Sequence, residues 1–285
     1  MSFDTIETLG KSTVQHGSAN KRVYLMKLHP SDYRTMPERL EALAAEHSYT
    51  KIFTKIPAEA ADYFSKLGYQ QEALIPCYYR GSEDALFLSR FTDPARSRVS
   101  EEEKALIKKN ITLAEEKAGD KVNNILSGGY EMRRLTGQDA DRLARLYKTV
   151  FPSYPFPIYD PSYLIETMKS HIHYFGIFEG EALLAASSSE TDPASLSVEM
   201  TDFATLPEQR GKGFALHLLA EMERDMLREG ITCHYTIARA FSAGMNITFA
   251  KAGYTFSGTL INNTDIFGRI ESMNVWYKHL FASDG

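Results

Sequence analysis

The chain has 285 residues, 43% hydrophobic and 24% charged, with a formal net charge of −5 at pH 7. That length supports one large core or two smaller ones, and the composition is ordinary for a soluble globular fold. The negative balance argues against a nucleic-acid partner and suits a cationic small substrate; no apolar run approaches the roughly 20 residues that cross a bilayer, and no signal peptide is expected.

In chain order, residues 1–20 are polar and are expected to fray or to form an edge element. "KRVYLMKL" (21–28) reads as a buried strand, and Pro37 opens a helix to about His47. "TKIFTKI" (50–56) alternates as a strand, and Pro57 starts a helix that closes at Gly68. Strands at about 69–79 and 84–91 follow, turning at Gly81 and Ser82. The charged run after Thr92 predicts a solvated connecting helix over 97–118, with Ser100 as N-cap ahead of three glutamates. A short strand then begins at Tyr130, followed by a helix over 137–150 and an aromatic, proline-rich loop, "FPSYPFPIYDPSY" (151–163). A helix (about 161–170), a hairpin turning at Glu179-Gly180 and a strand (196–205) come next. A helix (213–228), a strand (231–238), a helix capped by Ser242 and two last strands near 254–261 and 270–278 complete the chain. Cys77 and Cys233 lie in separate apolar-alternating segments and read as buried thiols of a reducing cytoplasm.

Two hexapeptides mark a repeat. "FSKLGY" (64–69) and "FAKAGY" (249–254) each end a helix, and the strand-helix-strand-helix-strand-strand order around the first recurs around the second. The loop after the first strand differs between the copies: "LPEQRGKGFA" in the second, "HPSDYRTMPE" in the first. Gly211 and Gly213 permit positive φ and close backbone approach, and the helix behind them presents unpaired N–H groups. Together these make a diphosphate cradle.

The stretch "EMTDFATLPEQRGKGFALHLLAEME" with "MNITFAKAGY" resembles the GNAT superfamily of acetyl-CoA-dependent N-acetyltransferases, over about 130–281. Arg210, Gly213 and Ala215 match its phosphate-loop pattern, and Asn246, Phe249, Gly253 and Tyr254 match its later helix. The whole chain looks more specifically like the β-lysine N-acetyltransferases, through "TDFATLPEQRGKG", "KIFTKIP" and "EDALFLSRF". The resemblance implies an α/β fold: a twisted mixed sheet flanked by helices, whose strands bearing Glu199 and Cys233 splay apart to admit the cofactor. A truncated GNAT-like β-α-β-α-β-β half-repeat without a phosphate loop precedes it. The expected organisation is a degenerate unit over 1–96, a connecting helix over 97–122 and a catalytic unit over 123–285.

The implied reaction is direct attack of a neutral amine on the thioester of acetyl-CoA. The implied acceptor is the side-chain amine of β-lysine (3,6-diaminohexanoate), and the product is the compatible solute Nε-acetyl-β-lysine. The alternatives are another amine (a polyamine, lysine or a protein amine) or an idle acyl-CoA sensor. Phe203, Ala204, Thr205, Arg210, Gly211, Lys212, Gly213, Phe214, Ala215, Asn246 and Phe249 are the cofactor candidates. Glu199 is the candidate base, opposing Val198 and Met200 by alternation, and Asp202 is the second. Phe249 stands where many members carry a tyrosine acid, so the acid falls to Tyr254, to Tyr235 or to water. Arg239 and Arg269 are candidates for a substrate carboxylate, and Tyr154, Phe156 and Tyr159 for packing the acceptor's methylenes. The histidines show no metal spacing, and no metal is expected. No membrane partner is expected, the compartment is the cytoplasm, and a homodimer fits the reading.

Overall fold

The computed structural model describes residues 3–120, 126, 128–266 and 268–281. The alternating segments pair into two mixed sheets. The first holds β1 (Thr5–Leu9), β2 (Ser12–Gly17), β3 (Arg22–Lys27), β4 (Lys51–Pro57), β5 (Gln70–Tyr79) and β6 (Glu83–Phe91), in spatial order β1-β2-β3-β4-β6-β5. The second holds β7 (Tyr130–Arg134), β8 (Ile172–Glu179), β9 (Ala182–Asp192), β10 (Ser197–Thr205), β11 (Cys233–Arg239), β12 (Thr255–Ile266) and β13 (Arg269–His279), in order β12-β13-β11-β10-β9-β8-β7. Helices α1 (Met36–Glu46) and α2 (Ala58–Lys66) interrupt the first set, and α3 (Glu101–Glu116) lies between the sets. Helices α4 (Ala140–Val150), α5 (Pro161–Met168), α6 (Phe214–Arg228) and α7 (Ala243–Lys251) belong to the second.

The repeat extends to strand pairing. β3 runs parallel to β4 as β10 does to β11, and β4-β6-β5 pair antiparallel as β11-β13-β12 do. The two hexapeptides close their helices alike. Tyr69 N–H donates to Phe64 O at 3.3 Å, and Tyr254 N–H donates to Phe249 O at 3.0 Å. Gly68 and Gly253 take φ of 86° and 85°, which glycine adopts without Cβ strain. The ring pairs Phe64–Tyr69 and Phe249–Tyr254 both meet edge-on at 5.1 Å.

Three expectations need correction. Of residues 3–20, β1 is the expected edge element, but β2 is an inner strand that buries Ser12, Val14 and Gln15. The first copy therefore has two strands more than the six-element half-repeat. Helix α3 carries the expected Ser100 cap, in a capping box with Glu103, but it is not a solvated spacer. Ile107, Asn110 and Ala114 are buried, and Asn110 Nδ2 donates to Ala240 O at 3.0 Å. Cys77 is exposed, because the β5–β6 ladder is irregular between Ile75 and Tyr79 and breaks the alternation; Cys233 is buried. The expected boundary at 122–123 lies outside the described residues. No described helix is long and apolar enough to cross a membrane.

The inner faces of the two sheets meet. Tyr24, Phe53 and Phe87 from the first share one apolar cluster with Tyr235, Met273 and Val275 from the second. Edge strands β5 and β12 form the seam. Leu74 N–H donates to Ser257 Oγ at 2.9 Å, and Lys51 Nζ reaches both Glu72 (2.9 Å) and Ile261 O (2.7 Å). Gly258 lies so close that a Cβ there would sit 2.0 Å from Glu72 O.

Candidate active site

The second sheet opens where expected. β10 pairs with β11 only at Ser197–Glu199 against Cys233–Tyr235. Beyond that, β10 bulges between Thr201 and Ala204, with Asp202 at φ 56°, a conformation Asp tolerates better than bulkier residues. Phe203, Ala204 and Thr205 run from the bulge into the glycine loop. Gly211 and Gly213 take φ of 84° and 77°, and a Cβ on either would meet no atom within 4 Å. Gly213 is also the N-cap of α6, so no side chain caps the first-turn N–H groups. An open concave loop with free donors at a helix N-terminus fits the diphosphate of acetyl-CoA. Arg210 and Lys212 flank it with positive charge, Lys212 Nζ resting on Tyr130 Oη at 2.9 Å. Phe214 is buried and anchors the helix start, with Ala215 half-buried beside it.

Between the two sheets lies a cavity of about 740 Å³. Strand alternation selects what faces it. On β10, Glu199 and Thr201 line the cavity while Val198 and Met200 pack in the core under α6. On β9, Glu190 stands directly opposite Glu199 in the ladder. Burial pushes the Glu199 carboxyl up to about 8, with the charge of Glu190 adding to the rise. Lys55 and a hydrogen bond from Tyr235 offset part of it. Glu190 is met at the cavity edge by His171 Nε2 at 3.5 Å, and this contact raises the His171 pKa. Asp202 is tied on both oxygens: Tyr154 Oη donates to Oδ1, and Ser188 Oγ donates to Oδ2 at 2.7 Å. Burial raises its pKa despite those bonds.

Several sequence-predicted residues lie elsewhere. Tyr254 is buried in the core below Phe249, near Glu223 and Lys278, and does not line the cavity. Asn246 is fully buried and fully used. Its Nδ2 donates to Arg239 O (3.0 Å) and Ser242 O (2.8 Å), and its Oδ1 accepts from Asn274 (2.8 Å) and Trp276 (2.9 Å). It fixes the β11–α7 turn rather than facing a ligand. Arg239 lines the cavity, but its Nε and Nη2 are both bound by Glu271 at 2.9 Å. Arg269 pairs with the same carboxylate at 3.0 Å, lies over the Phe241 ring and is outside the cavity. Tyr154 and Phe156 line the cavity, whereas Tyr159 donates to Phe151 O and packs in the core beside α4. Phe249 lines it, edge-on to Phe203 at 5.5 Å.

The first sheet supplies a wall that the sequence analysis did not assign: Arg22, Tyr24, Phe53 and Lys55. Lys55 Nζ donates to Tyr78 Oη at 2.8 Å and to Tyr235 Oη at 3.1 Å. Burial disfavours its charge, but the phenol oxygens of Tyr24, Tyr78 and Tyr79 hold its pKa well above the ordinary lysine value. The available signal was alternation in "KRVYLMKL" and "TKIFTKI", where Arg22, Lys51 and Lys55 share a period-2 face with aromatics. Among the described residues His173, Asp225 and Glu229 bring ligand-type atoms within 4.8 Å of one another. Arg134 stands 3.5 and 3.6 Å from the two carboxylates, so that cluster already has its countercharge.

Residues 140–254 match the model of the acetyltransferase (GNAT) family. The chain is 37% identical to the beta-lysine N(6)-acetyltransferase of Methanococcus maripaludis over 97% of its own length and 99% of that protein. It is 30% identical to the N-acetyltransferase YodP of Bacillus subtilis over 97% and 99%. With the beta-lysine N(6)-acetyltransferase of Methanosarcina mazei it shares 32% identity over 85% and 95%. Family likeness, splayed strands and glycine cradle agree, and the chain belongs to the GNAT family of N-acetyltransferases.

Proposed function

We propose that this protein acetylates the side-chain amine of β-lysine to give Nε-acetyl-β-lysine. The observation that carries the reading is that likeness to two beta-lysine N(6)-acetyltransferases runs along nearly the whole chain, including the sheet that forms one cavity wall. The cavity supports it chemically: Glu190, Glu199 and Asp202 line it and suit a dicationic diamine.

Phe203, Ala204 and Thr205 lead to the loop Arg210–Ala215, which holds the donor; acetyl-CoA, when bound, supplies an activated thioester. Glu199 is the base. A lysine-type ammonium has a pKa near 10.4, so handing its proton to a carboxylate at about 8 is uphill by roughly 3 kcal/mol. The same transfer to an ordinary glutamate would cost about 8 kcal/mol. Tyr235, held between Glu199 and Lys55, is the hydroxyl placed to return a proton, a role Tyr254 cannot fill from the core. Asp202 positions Tyr154 against the acceptor.

Thiol release from acetyl-CoA with β-lysine, α-lysine, spermidine and a lysine peptide tests the reading. β-Lysine should give the highest kcat/KM. Preference for spermidine or the peptide would overturn it, as would stabilisation by acetyl-CoA with turnover of no amine.

A further inference from the structure

Among the described residues four lysine and arginine side chains line the cavity, and three are already engaged. Arg239 is bound in a fork by Glu271, Lys27 pairs with Asp192 at 3.1 Å, and Lys55 is held by two phenols. Arg22, in the first sheet, is different. Only 5% exposed, it leans over the rings of Tyr24 and Phe53, each centroid 5.5 Å from its guanidinium carbon. Among the described residues its hydrogen bonds all leave from Nη1, to Asn263 O at 2.6 Å and Thr264 Oγ1 at 3.2 Å. Nε is buried and has no hydrogen-bond partner among the described residues. The acid whose field acts most strongly on Arg22 is Asp4, but its Oδ2 is turned to Gln15 and Asn20.

Nε and Nη2 form one edge of a guanidinium, two parallel donors spaced to receive a carboxylate. One nitrogen pinned and that edge without a hydrogen bond among the described residues, on a side chain that lines the cavity holding the candidate base, is an arrangement that an anion would complete. We propose that the Nε/Nη2 edge of Arg22 binds the carboxylate of the acceptor, making the cofactor-free first repeat the part that recognises an amino acid rather than a simple diamine. This rests on the proposed acetyl transfer and deepens it: the acceptor class is a diamino acid whose carboxylate is remote from the reacting amine. Arg22 lines the cavity from the first sheet and Glu199 from the second, so the two ends of one short substrate are served by opposite sheets.

The test compares β-lysine with its carboxamide, which keeps both amines and loses only the anionic charge, in wild type, Arg22→Gln and Arg22→Lys. In wild type the carboxamide should show a KM about ten- to a hundredfold higher, the range for a charged hydrogen-bonded pair, with kcat within a few fold. In Arg22→Gln the KM for β-lysine should rise by that factor, so the acid-to-amide ratio collapses towards one. Arg22→Lys should fall between, keeping the charge and losing the fork. Equal KM values for acid and amide in wild type would overturn the assignment, and so would an unchanged ratio in Arg22→Gln. If that variant is not stabilised by acetyl-CoA, and so is not folded, the wild-type comparison decides alone. If wild type does not acetylate β-lysine, the substrate reading fails and the acid/amide pair of α-lysine is used instead. Turnover only of amines that lack a carboxylate would overturn the Arg22 assignment itself.

Discussion

Replacing Glu199 by Gln removes the proposed base with little change of shape, and the outcome is legible in the pH profile. With its pKa at about 8, only about a tenth of Glu199 is ionised at pH 7. Wild-type kcat/KM, which reports the free enzyme, should therefore rise about tenfold per unit and break near pH 8. The glutamine variant must wait for free amine, so its kcat/KM should climb unbroken towards the amine's own pKa near 10.4. At pH 7 the variant should be slower by about 10²–10⁴, the usual worth of a positioned base, and the gap should narrow above pH 8. Stability moves the other way. The folded pKa lies above the unfolded value near 4.3, so the folded state holds the extra proton in between and wild type loses stability as pH rises from about 4 to 8. Glutamine removes that loss. Allowing for water in the cavity, the variant should gain about 2–4 kcal/mol relative to wild type between pH 5 and 8.5. Thiol-release kinetics from pH 6 to 10.5, with melting curves at both pH values, measure both effects. A variant that keeps the break near pH 8 would refute Glu199 as base. A variant with no relative gain in Tm would refute the elevated pKa.

Gly213→Glu should abolish the stabilisation by acetyl-CoA, expected to reach about 2.7 kcal/mol at a hundredfold excess over Kd. It fills the open space before α6 with a like charge and forces a side chain onto φ 77°; retained stabilisation would locate the diphosphate elsewhere. Gly258→Val should lower Tm by roughly 6–12 °C, corresponding to about 3 kcal/mol, because its Cβ would collide with the Glu72 carbonyl across the β5–β12 seam. A melting curve like that of wild type would mean that the seam is not closed.

What the sequence made legible was local. Glycines at 211 and 213 announce positive φ whatever surrounds them, and period-2 alternation places Glu199 opposite Val198 and Met200 without reference to other strands. The repeated hexapeptide likewise predicts a shared helix stop, and both copies adopt it. Two of the misreadings turn on distant partners. Arg239 resembles a substrate anchor until Glu271, 32 residues on, closes over it. Asn246 resembles a ligand contact until Asn274 and Trp276 take its oxygen. Tyr254 follows the helix-ending glycine, and the bond from its N–H back to Phe249 O turns the chain so that its ring packs beneath Phe249 in the core. Alternation in β3 and β4 shows that Arg22 and Lys55 share a face, but not which other sheet that face will meet.

The first repeat lacks the glycine cradle and supplies a cavity wall instead. In the loop after β3, Arg34 and Met36 stand where the second copy has Gly211 and Gly213, and Asp32, in the place of Gln209, is a buried carboxylate that accepts from Lys11 N–H at 2.6 Å and Ser12 Oγ at 2.9 Å, a charge that would repel a diphosphate. β3 and β4 pair through four positions against three for β10 and β11, and β3 is also irregular, between Leu25 and Lys27, in its ladder with β2. That sheet presents aromatic and cationic side chains, Arg22, Tyr24, Phe53 and Lys55, to its twin. The second sheet depends on that face. Without Tyr24 and Phe53 opposite, the strand face bearing Glu199 would look into solvent, and the desolvation that leads the rise in its pKa would go. Proton transfer from the acceptor would then become harder by about 5 kcal/mol, the difference between a carboxylate at about 8 and one near 4.3. On the proposed mechanism, the first repeat, through the cavity it closes, is what makes Glu199 of the second basic enough to serve as the base.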